Sequence, residues 1–267
     1  MAEKYREILN QRLIRQPMGF MDVNTTMKHL ALINYAVPKE RFERYIPLDR
    51  FEIPEFETLR GKVSFFSVVL LMNSSFHFPM FLKWPKISFY QANHRAYVID
   101  KNTGDNVVWF FGTNLGTRFV HTAQWLWKMP WNYTKFDTEY RYNIDRQIYE
   151  KFCCSFRSKW CDGEVDIEDM GQPVNSLDGF SSIDEFKLIL THPTVGFTRR
   201  ADKRIATYHI WHPEMQITSA TSRHLYFSFY ERQGILSPQE MNNPHSILLC
   251  PKVEFDVHLP PQVVGNI

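Results

Sequence analysis

The feature that most constrains the fold is a succession of apolar, β-branched and aromatic stretches that recurs along the chain with few helical patterns between them. Met27 to Ala36, Val63 to Met72, Ile87 to Asp100, Val107 to Gly112, Lys135 to Asp145, Gln147 to Trp160, Thr194 to Arg199, Arg204 to His212 and Lys252 to Leu259 all read as strands. A doubly wound sheet needs a helix after nearly every strand, and that alternation is missing. Tyr5, Ile8, Leu9 and Leu13 recur close to helical spacing from Glu3 to Leu13, which predicts an amphipathic leading helix packed on the body. Thr117 to Met129 reads as an internal helix, with Thr117 as its cap and Pro130 as its stop. Ser182-Ile-Asp-Glu185 has the capping-box pattern of a short third one. The expected class is therefore α+β but mostly β: an antiparallel-rich β-barrel with a few peripheral helices.

The connections fit that reading. Pro38 to Pro54 is charged and turn-rich, with a short helix expected near Glu40–Tyr45. Lys101-Asn-Thr-Gly-Asp105 is rich in residues that tolerate turn geometry, so the strands on either side of it should form a hairpin. Asp162 to Gly179 carries Asp162, Glu164, Asp166, Glu168 and Asp169 without calcium-loop spacing and reads as a solvated acidic loop.

At 267 residues, a single domain over 1–267 is expected, with residues 1–26 as a helical extension and 27–260 as the barrel. Lys and Arg total 31 against 29 Asp and Glu, a net charge of +2, which removes the main argument for a nucleic-acid or anionic-membrane partner, since affinity for either rests on a concentrated basic face. The longest apolar run, Val68 to Met72, is far short of the ~20 residues of a spanning helix, so no membrane span is expected. MAEKYREILNQRLIRQ lacks the apolar stretch of an export signal, so a cytoplasmic location is expected. The acceptor-like triplets beginning at Asn24, Asn73 and Asn132 then read as chance. Cys153, Cys154, Cys161 and Cys250 are expected to be reduced and structural: the adjacent pair would point to opposite faces of a strand, which suits neither a redox pair nor a zinc site. No metal or cofactor is expected, and His209 and His212, three apart on a strand, would diverge. No G-x-S-x-G elbow and no Walker or dinucleotide glycine pattern is present.

Aromatic residues make up 15% of the chain, and that figure directs attention to ISFYQANHRAYVID, residues 87–100. Period-two alternation puts Phe89, Gln91, Asn93, Arg95, Tyr97 and Ile99 on one face, and Tyr90, Ala92, His94, Ala96 and Val98 on the other. Gln, Asn and Arg between Phe and Tyr suit a pocket wall, where apolar groups exclude water and a few donors orient a polar ligand. Arg in particular can grip a carboxylate with two parallel bonds. A surface position for Arg95, paired or snorkelling, fits the spacing equally well.

The string Phe89-Tyr-Gln-Ala-Asn-His-Arg-Ala-Tyr-Val98 resembles the E-x-N-x-R-x-Y-V signature of domain of unknown function 2071, a family grouped with the acetoacetate decarboxylase-like superfamily. The Phe- and Ile-Pro-containing segment from Pro38 to Pro47, the aromatic strand Val108-Trp-Phe-Phe-Gly112, the step Met129-Pro130-Trp131 and the closing Cys250-Pro-Lys-Val-Glu-Phe-Asp-Val-His258 follow in the family's order, so the resemblance covers roughly residues 27 to 260. It implies an acetoacetate decarboxylase-like barrel with an interior pocket. In the decarboxylases a lysine after the helix-ending proline forms a Schiff base with a keto acid, and a second lysine beside it lowers its pKa. Here Trp131 and Asn132 follow Pro130, and the signature carboxylate is replaced by Gln91, which cannot exchange a proton. Lys128 and Lys135 are the nearby amines, and both are expected to be solvated.

The expected function is binding of a small organic acid or aromatic metabolite in an interior pocket, with Arg95 and Asn93 as anchors, Gln91 as a hydrogen-bonding partner and Phe89, Tyr97 and Trp131 as walls. Asn132 and His121, on or beside the central helix, are further candidates. Lyase or isomerase chemistry would rest on hydrogen bonds and Arg stabilisation of an enolate-like charge. The alternative is a non-catalytic ligand carrier or a self-associating protein, expected as a homo-oligomer. The sequence leaves enzyme and non-enzyme open.

Overall fold

Val63 to Leu71 is buried at every position, although strand alternation would normally turn half of these side chains towards water. The reason is that this strand lies between two hydrophobic layers. The computed structural model describes residues 2–80 and 82–265, so Met1, Phe81 and the last two residues of the expected 1–267 unit lie outside it. Its long strands are, in chain order, β1 (Val23–Val37), β2 (Gly61–Phe78), β3 (Leu82–Asp100), β4 (Asn106–Leu115), β5 (Lys135–Asn143), β6 (Ile148–Arg157), β7 (Gly163–Pro173), β8 (Val195–Arg199), β9 (Ile205–Trp211), β10 (Thr218–Phe227) and β11 (Ser246–Gly265).

Neighbours run β1-β2-β3-β4-β8-β9-β11, and β11 pairs back onto β1, closing a seven-strand barrel. Closure satisfies the backbone donors and acceptors that an open edge would leave free. The contacts are antiparallel except between β4 and β8. From β11 the sheet continues through β10, β7, β6 and β5 as a wing. The wing folds against the outer face of the barrel. Ala92, Ala96, Val98, Phe66 and Val68 of the barrel share one core with Phe152, Phe156, Val165, Ile167 and Phe227 of the wing. Leu32, Val69, Leu71, Val108, Phe110 and Phe255 form a second core inside the barrel. Two apolar layers on one wall account for the high aromatic content.

The acidic segment is a correction. Residues Gly163–Pro173 are β7, not a loop: Val165 and Ile167 are buried while Glu164, Asp166 and Glu168 alternate towards the outside, where Arg157 and Arg223 meet Glu164 and Glu168. Charge on alternate residues is compatible with a strand whose other face is buried. The β10 strand, with its Thr and Ser residues, was not among the sequence expectations, and β3 begins before Ile87.

The helices are peripheral. α1 (Ala2–Arg12) packs through Leu9, which is fully buried; Arg6 pairs with Asp184 at 2.9 Å, and Arg12 donates to the carbonyls of His192 and Asn106. α2 (Phe119–Trp127) is shorter than expected: Thr117 Oγ1 accepts from the Phe119 N–H, and Lys128 ends the helix in the left-handed region at φ 54°. The expected hairpin turn forms, with Gly104 at φ 77° and its N–H donating to the Asp100 carbonyl at 2.7 Å. All four cysteines are free, with Cys154 buried and Cys153 half-buried. No helix among the described residues is long and apolar enough to cross a membrane.

Candidate functional site

β3 carries the site because its two faces are spent on different layers. His94, turned outward, is wholly buried among the rings of Phe156, Trp160, Phe227, Phe229 and Tyr230, and its Nδ1 lies 3.2 Å from the Tyr230 hydroxyl. Burial depresses its pKa to about 3, so it is neutral and structural. Phe89, Gln91, Asn93 and Arg95 point the other way and line a cavity of about 130 Å³ inside the barrel. A void of roughly 150 Å³ accommodates benzene, so this one is sized for a ligand of a few heavy atoms up to a small ring.

The polar wall is ordered. Asn73 donates to Gln91 Oε1 at 2.8 Å, Gln91 donates to Asn93 Oδ1 at 2.8 Å, and Thr113 donates to the same oxygen at 3.1 Å. Asn93 thus has its carbonyl engaged, while its amide N–H groups meet no acceptor among the described residues. Arg95 is 9% exposed. Its Nε donates to Ser67 Oγ at 3.3 Å and one terminal nitrogen to the Leu190 carbonyl at 3.1 Å, with the guanidinium 5.4 Å from the centre of the Tyr97 ring. Both acceptors are neutral. No carboxylate comes within ion-pair distance among the described residues, and the second terminal nitrogen has no acceptor. A buried cation without a counter-charge is expensive unless an anion reaches it.

The rest of the wall comes from β1, β2, β4, β8, β9, β11 and α2, and from the residues that follow β9. His212 is 1% exposed, stacked on Phe255 with centroids 4.3 Å apart, and 4.0 Å from the ring of His192. Its Nδ1 sits 2.8 Å from the Pro213 carbonyl and therefore carries the proton. Burial first, then the neighbouring His192 and Arg95, hold His212 well below the usual histidine range; burial and Arg12 bring His192 down to about 4. Gly196 matters by what it lacks: a Cβ there would lie 2.6 Å from Phe110 Cε2 and 3.3 Å from Tyr208 Cζ. Gly196→Ala is expected to push those rings into the cavity and to destabilise the fold by about 1–3 kcal/mol, the usual range for overpacking. Urea unfolding checks this; an unchanged midpoint would show that the wall yields freely.

Of the residues singled out from sequence, the structure brings Phe89, Gln91, Asn93, Arg95 and Trp131 to the cavity wall. Three others lie elsewhere. Tyr97 is on the same face of β3 but behind the wall, its hydroxyl within 3.1 Å of Asn34 Oδ1, Ser67 Oγ and the Leu190 carbonyl, so it positions Arg95's acceptors. Asn132 turns back to the carbonyls of Pro130 and Thr113. His121 is exposed on α2, beside Gln124 and Tyr133, because its side of that short helix faces water. Lys128 and Lys135 are exposed, and no lysine lines the cavity among the described residues.

Sequence reasoning missed Asn73, Thr113, Gly196, Tyr208 and His212. A signal existed for two of them. Alternation along Arg204–His212 puts Tyr208, Ile210 and His212 on one face, and all three line the cavity. His209, the histidine weighed with His212 as a metal pair, is exposed on the other face.

No curated protein matches the sequence. Among solved structures, the fold is similar to an acetoacetate decarboxylase-like enzyme from Sphingomonas wittichii RW1 (TM-score 0.57, 5% identity, covering 93% of this chain and 94% of that one). It is also similar to the acetoacetate decarboxylase of Legionella pneumophila (TM-score 0.55, 10% identity, 97% and 95% covered). A third likeness is to the enduracididine biosynthesis enzyme MppR complexed with pyruvate (TM-score 0.54, 9% identity, 95% and 93% covered). At such identities the likeness establishes the acetoacetate decarboxylase-like fold alone. Residues 24–254 match the family of domain of unknown function 2071, described as an uncharacterized conserved protein, and the chain belongs to that family.

Proposed function

We propose that the protein binds a small organic acid inside the barrel, its carboxylate held by Arg95 and its apolar part packed against Phe89, Phe110 and Trp131. The observation that carries this reading is the buried guanidinium, which has free N–H groups, neutral acceptors only, and a cavity beside it. The size of the void favours a short acid over a fused aromatic one. Proteins of similar fold include an acetoacetate decarboxylase and an enzyme complexed with pyruvate, which agrees with a carboxylate ligand.

Any reaction would draw on neutral hydrogen-bond donors and the fixed positive charge of Arg95, which stabilise an enolate-like oxygen in a water-poor site. Among the described residues no lysine lines the cavity to start Schiff-base chemistry, and no carboxylate lines it to move a proton. Lyase or isomerase activity and simple ligand carriage both remain within this reading, and a cytoplasmic protein acting on a free metabolite fits either.

The test is a thermal-shift titration with short carboxylates and their primary amides, which have nearly the same shape without the charge. Carboxylates are expected to raise the melting temperature in a saturable way, and the amides are not. Equal shifts from both, or none from any acid, would remove Arg95 as an anion anchor. Borohydride treatment with a keto acid is expected to leave the protein mass unchanged; a covalent adduct would restore a lysine to the mechanism.

A further inference from the structure

Arg95 does not face the cavity alone. It lies opposite Phe110 of β4; β4 runs beside β8, where Gly196 is registered with Val108; and Gly196 lies directly opposite Tyr208 of β9. Arg95, Phe110, Gly196 and Tyr208 therefore occupy four successive staves of the barrel on its inner face. The Tyr208 ring stacks on Phe110, with centroids 5.7 Å apart and planes 28° from parallel, and it lies in the space that Gly196 leaves open.

The hydroxyl of this ring differs from those of the fully buried tyrosines. Buried tyrosines normally find a partner for the O–H. Tyr35 donates to the Met241 carbonyl, Tyr97 lies within reach of three oxygens, Tyr149 meets His29 and Tyr230 meets His94. Tyr208 is half-buried and lines the cavity, and its hydroxyl has no hydrogen-bond partner among the described residues. Burial raises its pKa and Arg95 opposes that shift, so the phenol stays protonated and the two groups feel each other across the void.

We infer that Tyr208 is a specificity-determining residue, whose hydroxyl donates to a second acceptor oxygen on an acid held by Arg95. This rests on the acid-binding reading above. A hydroxyl without an internal partner adds no hydrogen bond to the fold, and it distinguishes acids that carry an oxo oxygen within reach from those that carry only a methylene there. A site built to bond an oxygen discriminates against the analogue lacking it, because the protein's own group is otherwise left unpaired.

The experiment measures affinities of butyrate, 2-oxobutyrate and acetoacetate for the full chain and for Tyr208→Phe. The wild-type protein is expected to bind at least one oxo acid about tenfold more tightly than butyrate. Tyr208→Phe is expected to abolish that preference, leave butyrate within about twofold, and unfold in urea at or above the wild-type midpoint. A preference for the oxo acid that survives in Tyr208→Phe, or no preference in the wild type, overturns the assignment while the anchor stands. A variant that loses butyrate as well, with a lowered midpoint, makes the hydroxyl structural and overturns it too. Failure of every acid to bind the wild type overturns the anchor and this inference together.

Discussion

Arg95→Met is expected to lower affinity for short carboxylates by at least about a hundredfold while leaving the fold as stable as wild type or more so. Two charge-assisted hydrogen bonds at ~1.5–3 kcal/mol each correspond to two or more orders of magnitude in affinity. Stability moves the other way. Burying a guanidinium without a counter-charge carries a desolvation penalty of several kcal/mol, and exchanging buried charge for an apolar side chain of similar length is often neutral or stabilising by about 1–4 kcal/mol. The hydrogen bonds lost are to neutral groups, Ser67 Oγ and the Leu190 carbonyl, and Tyr97 remains within 3.1 Å of both. Calorimetric titration with a short carboxylate and urea unfolding read the two effects separately. A variant destabilised by about 3 kcal/mol or more would mean that Arg95 serves the fold.

A second large effect is expected from acid. Unfolding free energy should fall by at least about 4 kcal/mol between pH 7 and pH 5, well above the range in which paired carboxylates titrate. In the unfolded chain each imidazole titrates near 6.5, whereas in the folded protein His94 is depressed to about 3 and His192 to about 4. Between those values the unfolded chain holds a proton that the native state refuses, so protons favour unfolding. The stability of these neutral imidazoles is complete above about pH 6.5 and is lost as the pH falls towards 4 and then 3. At pH 5 each contributes a loss of about 2 kcal/mol, and His212, shifted in the same direction, adds to it. Melting should drop by roughly 10 °C over the same interval. His94→Gln should remove about 2 kcal/mol of the acid-induced loss, because its amide does not titrate. A melting temperature that is flat from pH 7 to pH 5 would contradict the neutral burial of all three.

Those three histidines also show where sequence and structure divide. Alternation along β3 placed His94 opposite Arg95, and it stands there. That reading could not say that the face carrying His94 would be sealed by the wing, because its strand β7 was hidden by its charges. Glu164, Asp166 and Glu168 look like a solvated loop when counted, and like one face of a strand when their spacing is followed. His121 went wrong for a related reason. A helix pattern gives a stripe but not the direction from which the barrel meets it, and α2 turns His121 to water while Phe119 and Trp127 meet the cavity.

The sequence by itself determined the mostly β class, the shared face of Phe89, Gln91, Asn93 and Arg95, the leading helix and the family signature, because period-two alternation, helical spacing and motif order are local properties of the chain. Only the tertiary structure decided that the strands close into a seven-membered ring, that a wing buries the second face of β3, and that Tyr208, Gly196 and His212 share a cavity with Arg95. Those facts depend on register between strands more than a hundred residues apart, and a linear pattern fixes the face of a residue but not the partner it will meet across the barrel.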